Sequence, residues 1–228
     1  MGGTGQKRIK NTKFSSERPR LLPKTENQRL YIDAIKTSDQ VIVLGPAGTG
    51  KTYIAATIAA DLYLDGKINT IVLTRPNVAA GKSIGYFPGT LEEKMAPWMA
   101  PVIDVLQKRM TDGVFETAVK NGNLVIIPFE TMRGRSFNDA FVILDEAQNT
   151  TPHEMKMFLT RVGENCKVII NGDIMQSDLN ESSGLSKAIH LIKKHMLPVP
   201  VIEFTLADVV RSVLCKLWIE AWMKEEKR

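Results

Sequence analysis

The chain has 228 residues and an ordinary apolar content, which is enough for one α/β domain with a full core and too little for two large domains. Its apolar runs are short and none follows the early basic residues, so we expect neither a membrane span nor a secretory signal. The two cysteines, Cys166 and Cys215, have no partner at a metal-site or disulfide spacing. This favours unpaired thiols in a reducing cytoplasm over a metal ligand or a nucleophile.

The net charge of +5 is concentrated near the N-terminus. Residues 1–24 contain seven basic side chains and a single acidic one, Glu17, whereas the rest of the chain is close to neutral. A basic stretch rich in Gly, Ser and Thr is more typical of a solvated arm than of a specific nucleic-acid-binding surface. We therefore predict a flexible basic tail over residues 1–24 and a single domain over residues 25–228.

The first predicted element is a helix from Thr25 to Lys36, with Thr25 as its N-cap. Short runs rich in β-branched residues follow, at residues 41–44, 70–73, 124–127, 141–144 and 167–170. They are apolar almost throughout, which is typical of strands buried on both faces. We therefore predict an α/β fold with a mostly parallel sheet of five to six strands and helices on both faces. Val199–Phe204 is the candidate sixth strand, and Pro198 and Pro200 favour a place at the sheet edge.

Further helices are predicted between the strands. Lys51–Tyr63 is free of Gly and Pro, and residues 205–222 carry apolar side chains at helical spacing, which predicts one continuous amphipathic helix. The connection over about residues 75–123 is too long for a simple loop and contains an amphipathic stretch near Val102–Met110. Insertions of this length in an α/β domain are usually functional, so we expect a functional role for this one.

The segment after the first strand matches the phosphate-binding pattern G-x-x-x-x-G-K-[ST] in full. Glycines allow the backbone to wrap closely around phosphate oxygens, and the helix that begins here adds its N-terminal amides and its dipole. We expect Lys51 to reach the β- and γ-phosphates and the Thr52 hydroxyl to coordinate Mg²⁺. The predicted nucleotide-binding residues of this loop are Gly45, Pro46, Ala47, Gly48, Thr49, Gly50, Lys51 and Thr52.

Two carboxylates, Asp145 and Glu146, directly follow the apolar run at 141–144. The carboxyl ends of parallel strands face the ligand crevice, so these side chains should lie near the phosphate loop. We assign Asp145 to the Mg²⁺ shell, with a helix N-cap as the alternative, and Glu146 to orienting or deprotonating the attacking water. Gln176, after the neighbouring strand, is expected near the γ-phosphate, with a polar turn as the alternative interpretation.

Together these residues resemble the PhoH-like (phosphate-starvation-inducible) ATPases. The resemblance runs from about Thr25 to Trp222. Besides the phosphate loop it is carried by Thr74-Arg75-Pro76, Gly85 with Phe87-Pro88-Gly89, Met132-Arg133-Gly134-Arg135, the Asp-Glu-Ala-Gln box, and Gly172-Asp173 with Gln176. That family is similar to the first motor domain of superfamily 1 helicases. The resemblance therefore implies a RecA-like core, ATP hydrolysis and a role in RNA metabolism.

The resemblance also implies roles for two more residues. Gln28 matches the glutamine that recognises adenine in those helicases, and its amide can both donate to and accept from the base edge. Arg211 matches an arginine that contacts phosphate, with Arg133 and Arg135 as competitors for that role. A side chain on the helix surface is the alternative for both Gln28 and Arg211.

Three functions are compatible with these residues. The leading one is an ATPase motor that acts on nucleic acid, with RNA favoured over DNA. The others are a P-loop kinase, which Glu146 disfavours because a water-activating base would waste ATP, and a nucleotide-dependent switch in which hydrolysis acts as a timer. Candidate nucleic-acid contacts in or beside the insertion, with core packing as the alternative for the aromatic ones, are Arg75, Lys82, Tyr86, Phe87, Lys94 and Trp98.

Assembly is the last prediction from sequence. The related helicases complete their ATP site with a second motor domain, whereas this chain contains one phosphate loop. We therefore predict a homo-oligomer in which Arg211 or Arg135 of a neighbouring copy acts in trans as an arginine finger. The RecA-like resemblance favours a ring of six.

Overall fold

The computed structural model describes residues 18–76, 91–132, 136–174 and 183–226. The helices in these ranges are α1 (Glu26–Thr37), α2 (Lys51–Leu64), α3 (Leu91–Met110), α4 (Asp112–Lys120), α5 (Pro152–Leu159), α6 (Gly184–His195) and α7 (Val213–Glu226). The strands are β1 (Gln40–Leu44), β2 (Thr70–Thr74), β3 (Leu124–Ile126), β4 (Ala140–Leu144), β5 (Lys167–Gly172) and β6 (Val201–Glu203). Short 3₁₀ turns occur at Phe129–Met132, Ala147–Asn149 and Leu206–Asp208.

The six strands form one parallel sheet in the order β3-β2-β4-β5-β1-β6. β6 pairs with β1 and lies at the edge, as its flanking prolines predicted. Because every pair is parallel, the carboxyl ends of all six strands meet at the same edge of the sheet. The predicted fold class, a parallel α/β sheet covered by helices, is confirmed.

Alternate residues of each strand enter two separate hydrophobic cores. On β1, Val41 and Val43 pack in the core that includes α1 to α4, whereas Ile42 and Leu44 pack in the core that includes α5 and α6. Helices cover both faces, so the strands need apolar side chains at every position. This is the physical reason for the uninterrupted apolar runs in the sequence.

The insertion between β2 and β3 contains α3 and α4. α3 is much longer than the amphipathic stretch predicted near Val102–Met110, and it continues through Pro97 and Pro101. Buried side chains recur every three or four residues along it, at Met99, Val102, Leu106 and Met110. They lie in the same core as α2, and this burial offsets the backbone hydrogen bonds lost at the prolines.

Residues 18–24 contact the domain, in contrast to the flexible tail predicted over residues 1–24. Arg18 donates from Nη1 to Asp61 Oδ1 at 3.0 Å and also pairs with Asp65 at the end of α2. Arg109 of α3 donates to both carboxylate oxygens of Asp61, each at 2.9 Å, and to the carbonyl oxygen of Pro19. The acidic end of α2 therefore anchors both α3 and the first described residues, whereas residues 1–17 lie outside the described ranges.

The single C-terminal helix predicted over residues 205–222 is wrong at its start. Leu206–Asp208 forms a 3₁₀ turn closed by a capping box between Thr205 and Asp208, and α7 begins only at Val213. Between them, the Val210 N–H donates to the carbonyl oxygen of Gly48 at 2.9 Å instead of to its own helix. Backbone pairing with the phosphate loop therefore interrupts the helical pattern, and Arg211 lies outside any helix.

No helix in the described ranges is long and apolar enough to cross a membrane. Both cysteines are free thiols. Cys166 is buried, and its burial raises the pKa of the thiol to about 11, whereas Cys215 is partly exposed. A thiol with so high a pKa is a poor nucleophile at neutral pH.

Candidate nucleotide-binding site

The phosphate loop lies between β1 and α2 at the carboxyl edge of the sheet. Gly48 has φ +83° and Gly50 has φ +88°, which is the left-handed region where a side chain is strained. A Cβ on Gly48 would also come within 2.7 Å of the Arg211 Nε atom. Gly50 is the N-cap of α2, so the loop leads directly into the amino end of that helix. This is the geometry that binds phosphate through backbone N–H groups and the helix dipole.

Lys51 extends back over this loop. Its Nζ donates to the carbonyl oxygens of Gly45 and Pro46, the latter at 2.9 Å. Burial lowers the pKa of the Lys51 ammonium, and the negative charges of Asp173, Asp145 and Glu146 oppose that shift. The cation is therefore held inside the site, close to the carboxylates, where phosphate oxygens are expected.

Thr52 and Asp145 meet at the position predicted for Mg²⁺. The Thr52 hydroxyl donates to Asp145 Oδ1 at 3.4 Å, and the Asn171 amide donates to Thr52 Oγ1 at 3.5 Å. Octahedral Mg²⁺ binds oxygens at about 2.0–2.1 Å, so neighbouring ligands lie about 3 Å apart, and these two oxygens fit one ion. The described residues contain no group of three or more His, Cys, Asp or Glu side chains arranged to hold a metal ion.

The Asp145 carboxyl is half-buried beside another carboxylate, Glu146. Burial raises its pKa, and the negative charge of Glu146 raises it further. The positive charge of Arg75, a hydrogen bond from Asn171 and the charge of Lys51 act in the opposite direction, in that order of size. An ion bound here would complete this compensation, because a divalent cation favours the ionised carboxylate.

Glu146 adopts a left-handed backbone conformation, with φ +53° and ψ +39°. Non-glycine residues occur there rarely, and such strain is concentrated at functional sites. The Gln148 Nε2 atom donates to Glu146 Oε2 at 2.6 Å, while Gln148 Oε1 accepts from the Asp173 N–H at 3.0 Å. Gln148 therefore holds the Glu146 carboxylate against the end of β5, a contact that the sequence did not predict.

Gln28 is buried, and both polar atoms of its amide are already bonded. Its Nε2 donates to the carbonyl oxygen of Thr49 at 2.9 Å, and its Oε1 accepts from the Lys24 N–H at 2.8 Å. It does not line the cavity described below. In this arrangement Gln28 supports the phosphate loop, and adenine recognition by Gln28, which requires these bonds to be exchanged for bonds to the base, stays a prediction.

Arg211 lies beside the phosphate loop of its own chain. The segment that carries it is fixed on both sides: Asp208 accepts from Asn27 Nδ2 of α1 at 2.8 Å, and the Val210 N–H donates to Gly48 as described above. Arg211 therefore lies at the site of its own chain, and its contact with phosphate, in cis or in trans, stays a prediction.

Most of the residues predicted for the phosphates and the metal line a cavity of about 300 Å³. Its lining includes residues of the phosphate loop, the Asp145–Glu146 pair, Arg211, Asp173, and two residues not assigned to the site from sequence, Arg75 and Trp98. Arg75 follows β2 just as Asp145 follows β4, so the rule of strand carboxyl ends could have placed it here. Trp98 comes from α3, and only the tertiary fold brings it to the cavity. Gln176, Arg133, Arg135 and the insertion residues Lys82, Tyr86 and Phe87 lie outside the described residues, and for Lys94 only the backbone is described.

The family model described as PhoH-like protein matches residues 20–223. This chain belongs to the PhoH family. The PhoH-like protein of Bacillus subtilis (strain 168) is 46% identical over 89% of this chain and 64% of its own length. The PhoH-like protein of Mycobacterium leprae is 42% identical over 90% of this chain and 59% of its own, and Protein PhoH of Escherichia coli K12 is 42% identical over 89% and 58%.

This PhoH family member thus spans about three fifths of the length of the curated relatives that it matches. Among solved structures, the Pif1 helicase from Candida albicans aligns with a TM-score of 0.42 and 15% identity, over 81% of this chain and 40% of that one. That similarity is too distant to support a functional conclusion. The family match, the parallel sheet and the phosphate loop together establish the fold of the P-loop NTPases.

Proposed function

We propose that this PhoH family member hydrolyses ATP with Mg²⁺ as cofactor. The observation that carries the proposal is the convergence of a complete phosphate loop, a half-buried Asp145 and a strained Glu146 around one cavity. A loop that only bound nucleotide would need the first two of these features. A carboxylate held in a strained conformation next to them is what activation of a water molecule requires.

Each of these residues has a distinct role in the proposed reaction. The loop amides and Lys51 bind the β- and γ-phosphates, and Thr52 with Asp145 holds Mg²⁺, which neutralises charge that develops on the phosphate oxygens. Glu146, held by Gln148, orients and deprotonates the attacking water. Arg211 stabilises the phosphate charge from within the same chain, and Gln176 is assigned to the γ-phosphate from sequence alone. Gln28 distinguishes adenine from other bases when it exchanges its bond to Thr49 for bonds to the nucleotide.

The direct test is release of inorganic phosphate from ATP by the purified protein, with and without Mg²⁺. We expect turnover only with the metal and a lower rate with GTP than with ATP. Equal rates of hydrolysis for ATP and GTP would contradict the proposal that Gln28 recognises adenine. Absence of phosphate release under all of these conditions, although ATP binds, would support the alternative of a binding protein.

We also propose that nucleotide turnover is coupled to nucleic acid, with RNA favoured over DNA. The support for this is the PhoH resemblance and the position of the insertion, whose helix α3 brings Trp98 to the mouth of the nucleotide cavity. A nucleotide-dependent switch is the second candidate, because the same helix could transmit the nucleotide state to a protein partner. Stimulation of the ATPase rate by RNA supports the motor, and a rate indifferent to RNA and DNA supports the switch.

The association should weaken with salt if RNA is bound through its phosphates. We expect the logarithm of the association constant to fall by about 0.7 per phosphate contact for each tenfold increase in salt. Binding that is independent of salt would contradict an electrostatic interface. The measurement is fluorescence anisotropy with a labelled single strand.

Finally, we propose that copies of this chain assemble through α7, and that the assembly is a ring of six. Five large apolar side chains of α7 are more than half exposed, namely Val213, Leu214, Leu217, Trp218 and Trp222. They present on the order of 500 Å² of apolar surface, which approaches the roughly 800 Å² that each partner contributes to a stable interface. α7 begins two residues after Arg211, so a second copy seated on it would lie beside the nucleotide cavity.

A further inference from the structure

Arg75 lies at the end of the site that is expected to hold the terminal phosphate. It directly follows β2, and the neighbouring strand β4 delivers Asp145 at the same level, since the Asp145 N–H donates to the carbonyl oxygen of Thr74 at 3.0 Å. Asp145 and Glu146 mark the γ-phosphate side of a P-loop site, where Asp145 would hold the metal ion and Glu146 would orient the attacking water. Arg75 lines the cavity together with them.

The charge of Arg75 is not neutralised by an ion pair in the described part of the chain. No carboxylate there lies within 4.0 Å of its guanidinium nitrogens, whereas Arg18, Arg29 and Arg109 all have such partners. An arginine without a counter-ion beside a phosphate site is suited to bind a phosphate oxygen.

Trp98 contacts this cation. The Cζ atom of Arg75 is 4.9 Å from the centre of the Trp98 ring, within the range of a cation–π interaction. The ring is carried by α3, and the adjacent residue Met99 is completely buried in the core shared with α2. The pair between Arg109 and Asp61 holds the two helices together further along. Trp98 therefore lies on a helix that is held in place by the core and by an ion pair.

From this geometry we propose that Arg75 binds the terminal phosphate of a nucleoside triphosphate, and that Trp98 is the positioning residue that holds its guanidinium over the site. The proposal rests on the ATP site described above and adds a discrimination between triphosphate and diphosphate. ADP has no phosphate at the Asp145–Glu146 end, so it does not use Arg75. Trp98 belongs to the insertion that is proposed to contact nucleic acid. Binding of the terminal phosphate to Arg75 therefore also alters a contact of that insertion.

The first experiment compares the affinity for a non-hydrolysable ATP analogue with that for ADP, both with Mg²⁺. Arg75→Ala is expected to weaken binding of the analogue by about 10- to 100-fold, the effect of losing a charge-assisted hydrogen bond, and to leave ADP binding within a few-fold of wild type. Arg20→Ala is the matched control, because Arg20 is exposed and does not line the cavity. Equal losses for the two nucleotides, or no loss for either, would overturn the proposal.

The second experiment tests Trp98 without altering Arg75. The chain has three tryptophans, and replacing the exposed Trp218 and Trp222 by Phe leaves Trp98 as the only one. The ATP analogue should change the fluorescence of Trp98 because a phosphate bound to Arg75 neutralises the charge over the ring, and ADP should not change it. An identical response to both nucleotides, or a response to neither, would count against the proposal.

A positioning role for Trp98 predicts a graded effect of its replacement. Trp98→Ala should weaken binding of the ATP analogue several-fold with ADP unaffected, and Trp98→Phe should restore part of the loss, since Phe keeps a weaker cation–π face. A Phe variant no better than Ala would show that the ring does not act through Arg75. Failure of the ATP site itself is distinguishable, because wild-type protein would then bind neither nucleotide.

Discussion

Glu146 has a strained backbone and lies in the nucleotide cavity. Its replacement should separate ATP binding from ATP hydrolysis. Glu146→Gln keeps the size and the contact to Gln148 but loses the base, so we expect kcat to fall by about 10²- to 10⁴-fold with ATP affinity within a few-fold of wild type. The exposed Glu116→Gln is the matched control, and phosphate release together with nucleotide titration is the measurement. A Glu146→Gln protein that hydrolyses at nearly the wild-type rate would end the assignment of the base.

We expect the ionised Asp145 carboxylate to lower the stability of the metal-free protein although hydrolysis requires it. Its folded pKa is raised, so the native state binds the proton more tightly than the unfolded state, and stability is lost as pH rises through the folded pKa. In metal-free buffer at neutral pH, Asp145→Asn should therefore raise the free energy of unfolding, by about 0.5–2 kcal/mol, while Mg²⁺-dependent hydrolysis is abolished. The gain should shrink as pH falls through the raised pKa, whereas the exposed Asp104→Asn should show no such gain. Denaturant unfolding across pH measures both variants, and a less stable Asp145→Asn protein would contradict the charge argument.

At the scale of elements, Asp208 connects α1 to the phosphate loop. Its Oδ2 atom accepts from the Thr205 N–H, the Thr205 hydroxyl and Asn27 Nδ2. Burial raises the pKa of the Asp208 carboxyl, but hydrogen bonds from Thr205, Thr25 and Asn27 outweigh that effect and leave the pKa below its ordinary value. The stability that this carboxylate contributes is therefore present above its unfolded pKa and lost as pH falls through the folded one.

Replacing Asp208 should affect both the fold and the nucleotide. Asp208→Ala removes three part-buried hydrogen bonds to a carboxylate, which costs about 1–3 kcal/mol of unfolding free energy, and it releases the segment that carries Arg211. We expect a lower Tm and a higher KM for ATP, with Asp104→Ala unchanged in both. Asn27→Ala removes one of the three bonds and should give a smaller effect in the same direction. A destabilised Asp208→Ala protein with unaltered KM would show that the segment does not position Arg211.

At the scale of the whole molecule, Arg211 can act on the nucleotide of its own chain or on that of a neighbouring copy. Its place beside Gly48 of the same chain favours the first arrangement. A mixture of Lys51→Ala and Arg211→Ala proteins should then stay inactive, because every intact phosphate loop lacks its own Arg211. Recovery of activity on mixing, with subunit exchange shown independently, would establish action in trans as predicted from sequence.

Assembly can be tested apart from that arginine. Trp218 and Trp222 are 61% and 64% exposed, so Trp218→Asp with Trp222→Asp should leave the folded subunit intact. We expect light scattering to give a multiple of 25.4 kDa for the wild type and a single subunit for the double variant. If the wild-type protein is a monomer with full ATPase activity, both the proposed ring and the proposed role of α7 in assembly are wrong.

The sequence by itself determined the features that depend on short segments of the chain. The phosphate loop, the acidic pair after a strand, the N-cap Thr25 and the doubly buried strands all depend on residues adjacent in sequence, and the structure contains each of them. The site could be anticipated to that extent because parallel strands bring their carboxyl ends to one edge. The fold class follows from the same local patterns.

The tertiary structure decided what depends on distant partners. The break between the 3₁₀ turn and α7 exists because Val210 bonds to Gly48, and the anchoring of residues 18–24 exists because α2 ends in acidic side chains. Trp98 meets Arg75 only because burial of one face of α3 against α2 directs that helix across the cavity. Such contacts join groups far apart in the chain, and their free energy is gained only once the core has formed, so no local pattern in the sequence records them.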